Sequence, residues 1–344
     1  MEKYIYGVIN GSYVTGFEEP RQGKRDEDGE VYTILYQDIA AVVSDSPIKD
    51  YTCMQKDDVA RLLVSHQRVI ERIMNLKYTI IPLRLGTFAI NEAEVKDILN
   101  KGYNLIKEIL RKIHDKIEIE VCATWKDFAS IVKEAGEERQ IKEFSEKLLA
   151  NPTGITVEDQ MKVGIMVKKA LDTERERYAK EIEDALKTVS QDLKVRELMD
   201  DKMIINTAFL IDRRRQKEFE KKVEELNARF NERLNFRCVG PLPLYSFYTL
   251  TIKKMQFEEI DCARKRLGLG DEASKDEIRR AYQRSAASTH PDINPDIERE
   301  FDDVNRAYKM LVDYGRACEQ TGEKEGYSFR EEELKRNAIL VKLL

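Results

Sequence analysis

"KIEIEVCATW", residues 116–125, sets an apolar residue at every second position, from Ile117 through Ile119, Val121 and Ala123 to Trp125. Such alternation is the pattern of a strand with one covered and one wet face. Downstream, a helical stretch runs from Asp127 to Leu149 and "NPTG" (151–154) breaks it. A long helix is then expected over about 157–199, with Val167, Leu171, Tyr178, Ile182, Leu186, Val189 and Leu193 along one face. "MIINTAFLI" (203–211) reads as a strand and residues 213–231 as a very charged helix. "LNFRCVGPLPLYSFYTLTI" (234–252) reads as strand, proline-bent turn and strand. The order β-α-α-β-α-β predicts an antiparallel sheet with helices on one face, a ferredoxin-like α+β arrangement.

Upstream, "KYIYGVI" (3–9) has the β-branched and aromatic richness of a strand, and "GFEEPRQGKRDEDGE" (16–30) is a polar loop. "VYTILYQDIAAVVSD" (31–45) reads as two short strands turning near Gln37 and Asp38. Val59, Leu62, Leu63, Val69, Ile70 and Ile73 recur at helical spacing between Asp57 and Leu76. "YTIIPLRLGTF" (78–88) is a buried strand, and Asn91 with Glu94 forms the capping box of a helix reaching about Ile113. This first piece is α+β, two helices laid on a small sheet.

Beyond residue 255 the strands give way to helices. "EEIDCARKRLGLG" is a short helix ended by glycines. "DEASKDEIRRAYQRSAAST" starts on a Ser274–Glu277 capping box, and "IEREFDDVNRAYKMLVDYG" follows after a break. The break is "STHPDINP" (288–295), where Pro291 ends one helix and Pro295 delays the next. Ile278, Tyr282 and Ser285 lie on one face before it, and Phe301, Val304, Tyr308 and Leu311 on one face after it. Two such amphipathic helices bury those faces against each other as an antiparallel hairpin. Leu267 and Leu269 cover its open end. The final "SFREEELKRNAILVKLL" reads as a docked helix, with Ser328 and Glu331 as its box, the alternative for its apolar end being a sticky tail.

The totals bound the function. A chain of 344 residues, too long for one ordinary domain, predicts two or three. With 42% hydrophobic and 36% charged residues it is globular with a heavily charged surface. A net charge of −5 argues against nucleic acid as a partner. No apolar run is long enough for a membrane span, and the first residues lack a signal-peptide pattern, so a cytoplasmic protein is expected. Five scattered cysteines without a Cys-x-x-Cys read as reduced thiols, with no metal site. No nucleophile–base set and no cofactor fingerprint is present, so no enzyme and no cofactor is expected.

"ASKDEIRRAYQRSAASTHPDINPD" followed by "FDDVNRAYKMLVD" resembles the J domain of DnaJ-type co-chaperones, over about residues 258–318. The resemblance implies that His290, Pro291 and Asp292 trigger ATP hydrolysis by a DnaK-type chaperone. It implies that the helix carrying Arg279, Arg280, Tyr282 and Arg284 docks on that partner. Residues 275–289 carry a net charge of +2 on an acidic protein, a local face able to steer an acidic partner. Ser285 stands where the family usually has leucine, which weakens the hairpin core by roughly 1.5–3 kcal/mol. Gln283 and Ile293 replace basic residues, and Ser288-Thr289 replaces a lysine-aromatic pair.

"IIPLRLGTF" (80–88) and "VGPLPLYSFYTL" (239–250) resemble the signature segments of the gas vesicle protein GvpF/GvpL family, with "YIYGVI" and "IEIEVCATW" fitting in the same order over about residues 3–252. Leu244 stands where that family usually has a proline. The resemblance implies a part in building gas vesicles, with the small apolar shell protein and other vesicle accessory proteins as partners. An apolar shell subunit aggregates before assembly unless it is covered.

Of the remaining candidates, Arg84 is expected to pair with a nearby acid at a strand end. His66 and His114 read as surface or core residents rather than metal ligands. Trp125, Tyr245, Phe247 and Tyr248 read as core rather than a ligand box, with a partner groove as the alternative for some of them. The "GLG" at 268–270 is a helix-ending turn and not a phosphate loop. The stripe of the long helix keeps no strict seven-residue repeat, so a coiled coil is not expected.

The expectation is therefore two small α+β domains, 1–115 and a ferredoxin-like 116–254, followed by a J-like all-α hairpin at 255–318 and a tail helix at 319–344. The function expected is vesicle assembly, by holding the shell protein and recruiting a DnaK-type chaperone. The alternative is a general J-domain co-chaperone for other clients.

Overall fold

The computed structural model describes residues 1–11, 30–48, 54–150, 154–230, 232–289, 298–323 and 326–344. The chain forms two compact units. One joins Met1–His114 to Tyr248–Leu344, and the other is Asp115–Phe247.

In the first unit β1 (Lys3–Asn10), β2 (Val31–Tyr36), β3 (Ile39–Asp45), α1 (Lys56–Asn75), β4 (Ile80–Pro82), β5 (Phe88–Ala89) and α2 (Glu92–Lys112) follow in order. The antiparallel sheet runs β2-β3-β1-β4, with β5 pairing the start of β1. Gln37 and Asp38 make the β2–β3 turn, Gln37 at φ 53°. Asp38 then accepts hydrogen bonds from Tyr103 Oη (2.6 Å) and Lys107 Nζ on α2. Tyr4 and Tyr6 meet His66 of α1, while Ile5 and Val8 line an apolar space with Val95 and Ile98 of α2. Neighbouring strand residues point to opposite faces, so α1 and α2 cover opposite faces of the sheet. That double cover explains why β1 is buried along nearly all its length. Gly7, at a bulge in β1, is required there: a Cβ would sit 2.7 Å from the Ile81 carbonyl oxygen. Asn91 caps α2, accepting from Glu94 N at 2.9 Å, but the Glu94 carboxylate takes the Ile90 N–H at 2.6 Å rather than that of Asn91, so the expected reciprocal box is only half formed.

The second unit comprises β6 (Lys116–Trp125), α3 (Phe128–Gly136), α4 (Arg139–Leu149), α5 (Val157–Lys187), β7 (Asp192–Val195), β8 (Met203–Asp212), α6 (Gln216–Arg229) and β9 (Leu234–Leu242). Its antiparallel order β7-β8-β6-β9 is the ferredoxin-like one. The long helix ends at Lys187 and not near 199. Val189 and Leu193 fit a helical stripe, but Leu193 pairs with Phe209 in the ladder at the free edge of β8. A short apolar spacing does not separate the two periods, and the sheet edge decides. Leu171, Tyr178, Ile182 and Leu186 of α5 are buried. Trp125 packs edge-on against Tyr178 at 5.3 Å, and Tyr178 against Phe230 at 5.4 Å.

The chain re-enters the first unit with β10 (Leu250–Lys254), α7 (Phe257–Arg266), β11 (Glu272–Ala273), α8 (Lys275–Ser288), α9 (Glu298–Gln320), β12 (Tyr327–Ser328), α10 (Glu331–Asn337) and β13 (Ile339–Leu343). The tail is thus not the docked helix expected. Ser328 lies in β12, Arg330 caps a helix of two turns, and Ile339–Leu343 is a strand antiparallel to β10. β10 has an edge to satisfy, and the apolar run "ILV", with β-branched Ile339 and Val341, fits it better than it fits a helix.

Candidate functional site

The hairpin of α8 and α9 is built as the sequence suggests. Ser274 and Glu277 form a reciprocal capping box at the start of α8. Ile278, Ala281, Val304, Ala307, Leu311 and Tyr314 are buried in one core, closed by Ile260 of α7 and by Leu267, the residue that ends it. Tyr282, expected both on the packing face and in the docking set, is half-buried. Its ring stacks on Tyr308 at 4.2 Å and its hydroxyl donates to Asn305 Oδ1 at 2.7 Å, so it ties the two helices together. Ser285 is half-buried and Ala286 packs on the core beside it. The end of α8 is closed locally: the Ser288 and Thr289 hydroxyls both donate to the Ser285 carbonyl at 2.9 Å.

Arg279, Arg280 and Arg284 are exposed, and no ion pair among the described residues holds them. The basic face of α8 is therefore open to a partner. Lys275 is turned away from it, 3.2 Å from Glu319. His290, Pro291, Asp292 and Ile293 lie outside the described residues.

The two signature segments are placed differently. In "IIPLRLGTF", Leu83 N donates to Tyr6 O and Arg84 N to Leu250 O, stitching the segment between β1 and β10. The Arg84 side chain is exposed and, among the described residues, has no acid within ion-pair distance, contrary to the pairing expected. In "VGPLPLYSF", Ser246 meets Glu118 of β6: its backbone N–H donates to one carboxylate oxygen at 2.9 Å and its hydroxyl to the other at 2.6 Å. Arg196 adds an ion pair to Glu118 at 2.9 Å, bonds the Ser246 hydroxyl, and reaches Glu120 at 2.6 Å. Glu118 is fully buried, although the alternation of its strand put it on the wet face. Burial pushes its carboxyl up, against the Ser246 bonds and the Arg196 charge. Sequence reasoning missed this cluster because its members lie far apart along the chain. Tyr245, Phe247 and Tyr248 are half-buried and Trp125 is buried.

His66 is a core residue, hydrogen-bonded through Nδ1 to Tyr4 Oη at 2.6 Å. Burial drives it down to about 4, against a weak pull from the Leu83 carbonyl, so the ring is neutral. Unfolding frees it to bind a proton at its usual value of 6.5. The stability this supplies is complete above pH 6.5 and drains as pH falls to 4, a loss of about 3 kcal/mol. Hydrogen exchange of β1 and β3 amides should show that loss across the window. His66→Gln should flatten it; an unchanged slope in the variant would refute the assignment.

Among the described residues, no group of three or more His, Cys, Asp or Glu could hold a metal ion, and no helix is long and apolar enough to cross a membrane. Val157, Met161 and Ile165, four residues apart on α5, are 74%, 63% and 65% exposed, on a helix whose later apolar residues are buried.

Comparison with known proteins bears on both parts. The family described as gas vesicle synthesis protein GvpL/GvpF matches residues 2–249, and the DnaJ domain matches residues 265–317. The chain is similar to gas vesicle protein F of a Streptomyces species, 26% identical over 72% of this chain and 99% of the relative. It is also similar to gas vesicle protein F of a Nostoc species, 23% identical over 63% and 87%. Residues of the hairpin are 55% identical to the chaperone protein DnaJ of Tropheryma whipplei, over 14% of each chain. The crystal structure of GvpF from Anabaena sp. PCC7120 shares the fold, with TM-score 0.61 and 23% identity over 72% of this chain and 97% of that one.

Proposed function

Because this chain belongs to the GvpL/GvpF family of gas vesicle synthesis proteins and carries a DnaJ domain, we propose that it holds the apolar vesicle shell protein before assembly and brings a DnaK-type chaperone to it. The observation that carries the reading is the union of the two matches on one chain. A protein that covers an aggregation-prone subunit gains from a module that recruits an ATP-driven partner. In this reading the protein works in the cytoplasm and at the growing vesicle, without catalysing a reaction of its own.

Two surfaces take the two roles. The exposed stripe of Val157, Met161 and Ile165 offers apolar area, including a methionine that adapts to varied partners, and receives the shell protein. The open Arg279, Arg280 and Arg284 steer the acidic chaperone, and His290, Pro291 and Asp292 act as the trigger.

One experiment with two readouts tests this. Purified protein should retain the shell protein, and Met161→Glu with Ile165→Glu should cut retention about tenfold or more while leaving the fold intact, since both positions are exposed. The same protein should stimulate a DnaK-type ATPase, and His290→Gln should abolish the stimulation. No retention by the wild type overturns the shell-binding half. Stimulation without any shell-protein dependence, joined to no retention, favours a general co-chaperone.

A further inference from the structure

The C-terminal strand is held from two sides within the first unit. On one side β13 continues β10 as an antiparallel pair, from Leu250↔Leu343 to Lys254↔Ile339, and packs on α2. Val341 fits where α2 carries Gly102: a Cβ there would lie 2.8 Å from Val341 Cγ1. Ile5, Leu83, Ile98, Leu250, Ile252 and Val341 line one small apolar cavity, so the strand helps to close the core under the N-terminal sheet.

On the other side β13 is gripped by α9 of the hairpin. The Gln320 side chain donates to Val341 O and accepts from Val341 N at 3.2 Å, copying the edge of another strand. Asp313, also on α9, binds Lys253 of β10 at 2.8 Å and Lys342 of β13 at 3.1 Å. Burial works against its charge, yet the two lysines hold its carboxyl below the usual carboxylate range. Leu340, next to Val341, points into the hairpin's own core with Leu311 and Tyr314. Alternate residues of one short strand therefore serve two cores.

We propose that β13 is a strap that joins the DnaJ-domain hairpin and the N-terminal sheet into one cooperative unit, so that a partner docked on α8 and α9 also stabilises the sheet. Whatever binds the native hairpin draws the whole cooperative unit toward its folded form.

The test uses the full chain and hydrogen exchange. Leu311→Ala is confined to the hairpin core. It should speed the slowest amides of α9 by about thirtyfold or more, and those of β1 and β3 by the same factor. If Leu311→Ala does not fold, Ile278→Val should give about three- to tenfold at both places. In a Val341→Ala background the α9 response should persist while the β1 and β3 response shrinks. Faster exchange in α9 with wild-type rates in β1 and β3 overturns the proposal. So does a β1 and β3 response that is undiminished by Val341→Ala.

Discussion

A chain stopped after Ala338 will lose most of the stability of its first unit, the N-terminal sheet included. The deletion removes Ile339, Leu340 and Val341, which are 8%, 1% and 0% exposed. Each fully buried side chain of this size contributes about 1.5–3 kcal/mol, so together they supply about 5–9 kcal/mol. That approaches the whole net stability of an ordinary domain, about 5–15 kcal/mol. The cut also unpairs the edge of β10, strands Gln320 without its backbone partner, and opens the space above Gly102 on α2. Removing Leu344 alone, 73% exposed, should change little and serves as control. Denaturant midpoints of the first unit measure the effect. A stopped chain with the midpoint of the full one would show that β13 only decorates a core complete without it. The family match to GvpL/GvpF ends at residue 249 and the DnaJ match at 317, so the strand that finishes the N-terminal core comes from the stretch of chain beyond both. A chain cut near Lys254 would therefore mix two losses, the hairpin and the cover of α2.

The sequence made the ferredoxin-like unit readable because its strands signal themselves locally. Ile117, Ile119, Val121, Ala123 and Trp125 alternate, and all are buried. The N-cap of α2 and the capping box of α8 are readable for the same reason, since each spans only three residues. What failed were short apolar runs whose partner lies far away. "AILVKLL" suits a helix or a strand, and only the edge of β10 chooses between them. Spacing alone places Leu193 on a helix, and pairing with β8 overrides it.

The candidate site shows the same division. The basic face of α8 follows from residue identity, because Arg279, Arg280 and Arg284 need only be exposed. Helical spacing places Tyr282 and Tyr308 on the facing sides of the hairpin, and there their rings stack. Glu118 gave no local sign at all. A glutamate in an alternating strand is assigned to water unless its neighbours in space are known, and those are Arg196 and Ser246.

Glu118→Ala should therefore destabilise the second unit by about 3–5 kcal/mol, the cost of breaking a buried charged cluster from one side. The substitution leaves the Ser246 N–H without its acceptor and takes from Arg196 one of its two carboxylates, although Glu120 remains. Glu118→Gln keeps the shape and one carbonyl oxygen, so its cost should be about 1–2 kcal/mol. Trp125 is the single tryptophan and is buried in this unit, which makes its fluorescence a selective readout of unfolding. The pH dependence separates charge from shape. Because burial raises the Glu118 carboxyl above its usual 4.5, the folded unit binds that proton more readily than the unfolded chain does. Its contribution to stability therefore grows as pH falls through the folded value toward 4.5, the reverse of the His66 effect in the other unit. Glu118→Gln has no such proton to take up, so the gap between wild type and variant should widen as the solution is acidified across that window. A constant gap would mean that Glu118 is held by shape alone. Equal, small losses for alanine and glutamine would mean that Ser246 and the segment after Pro243 keep their place without it.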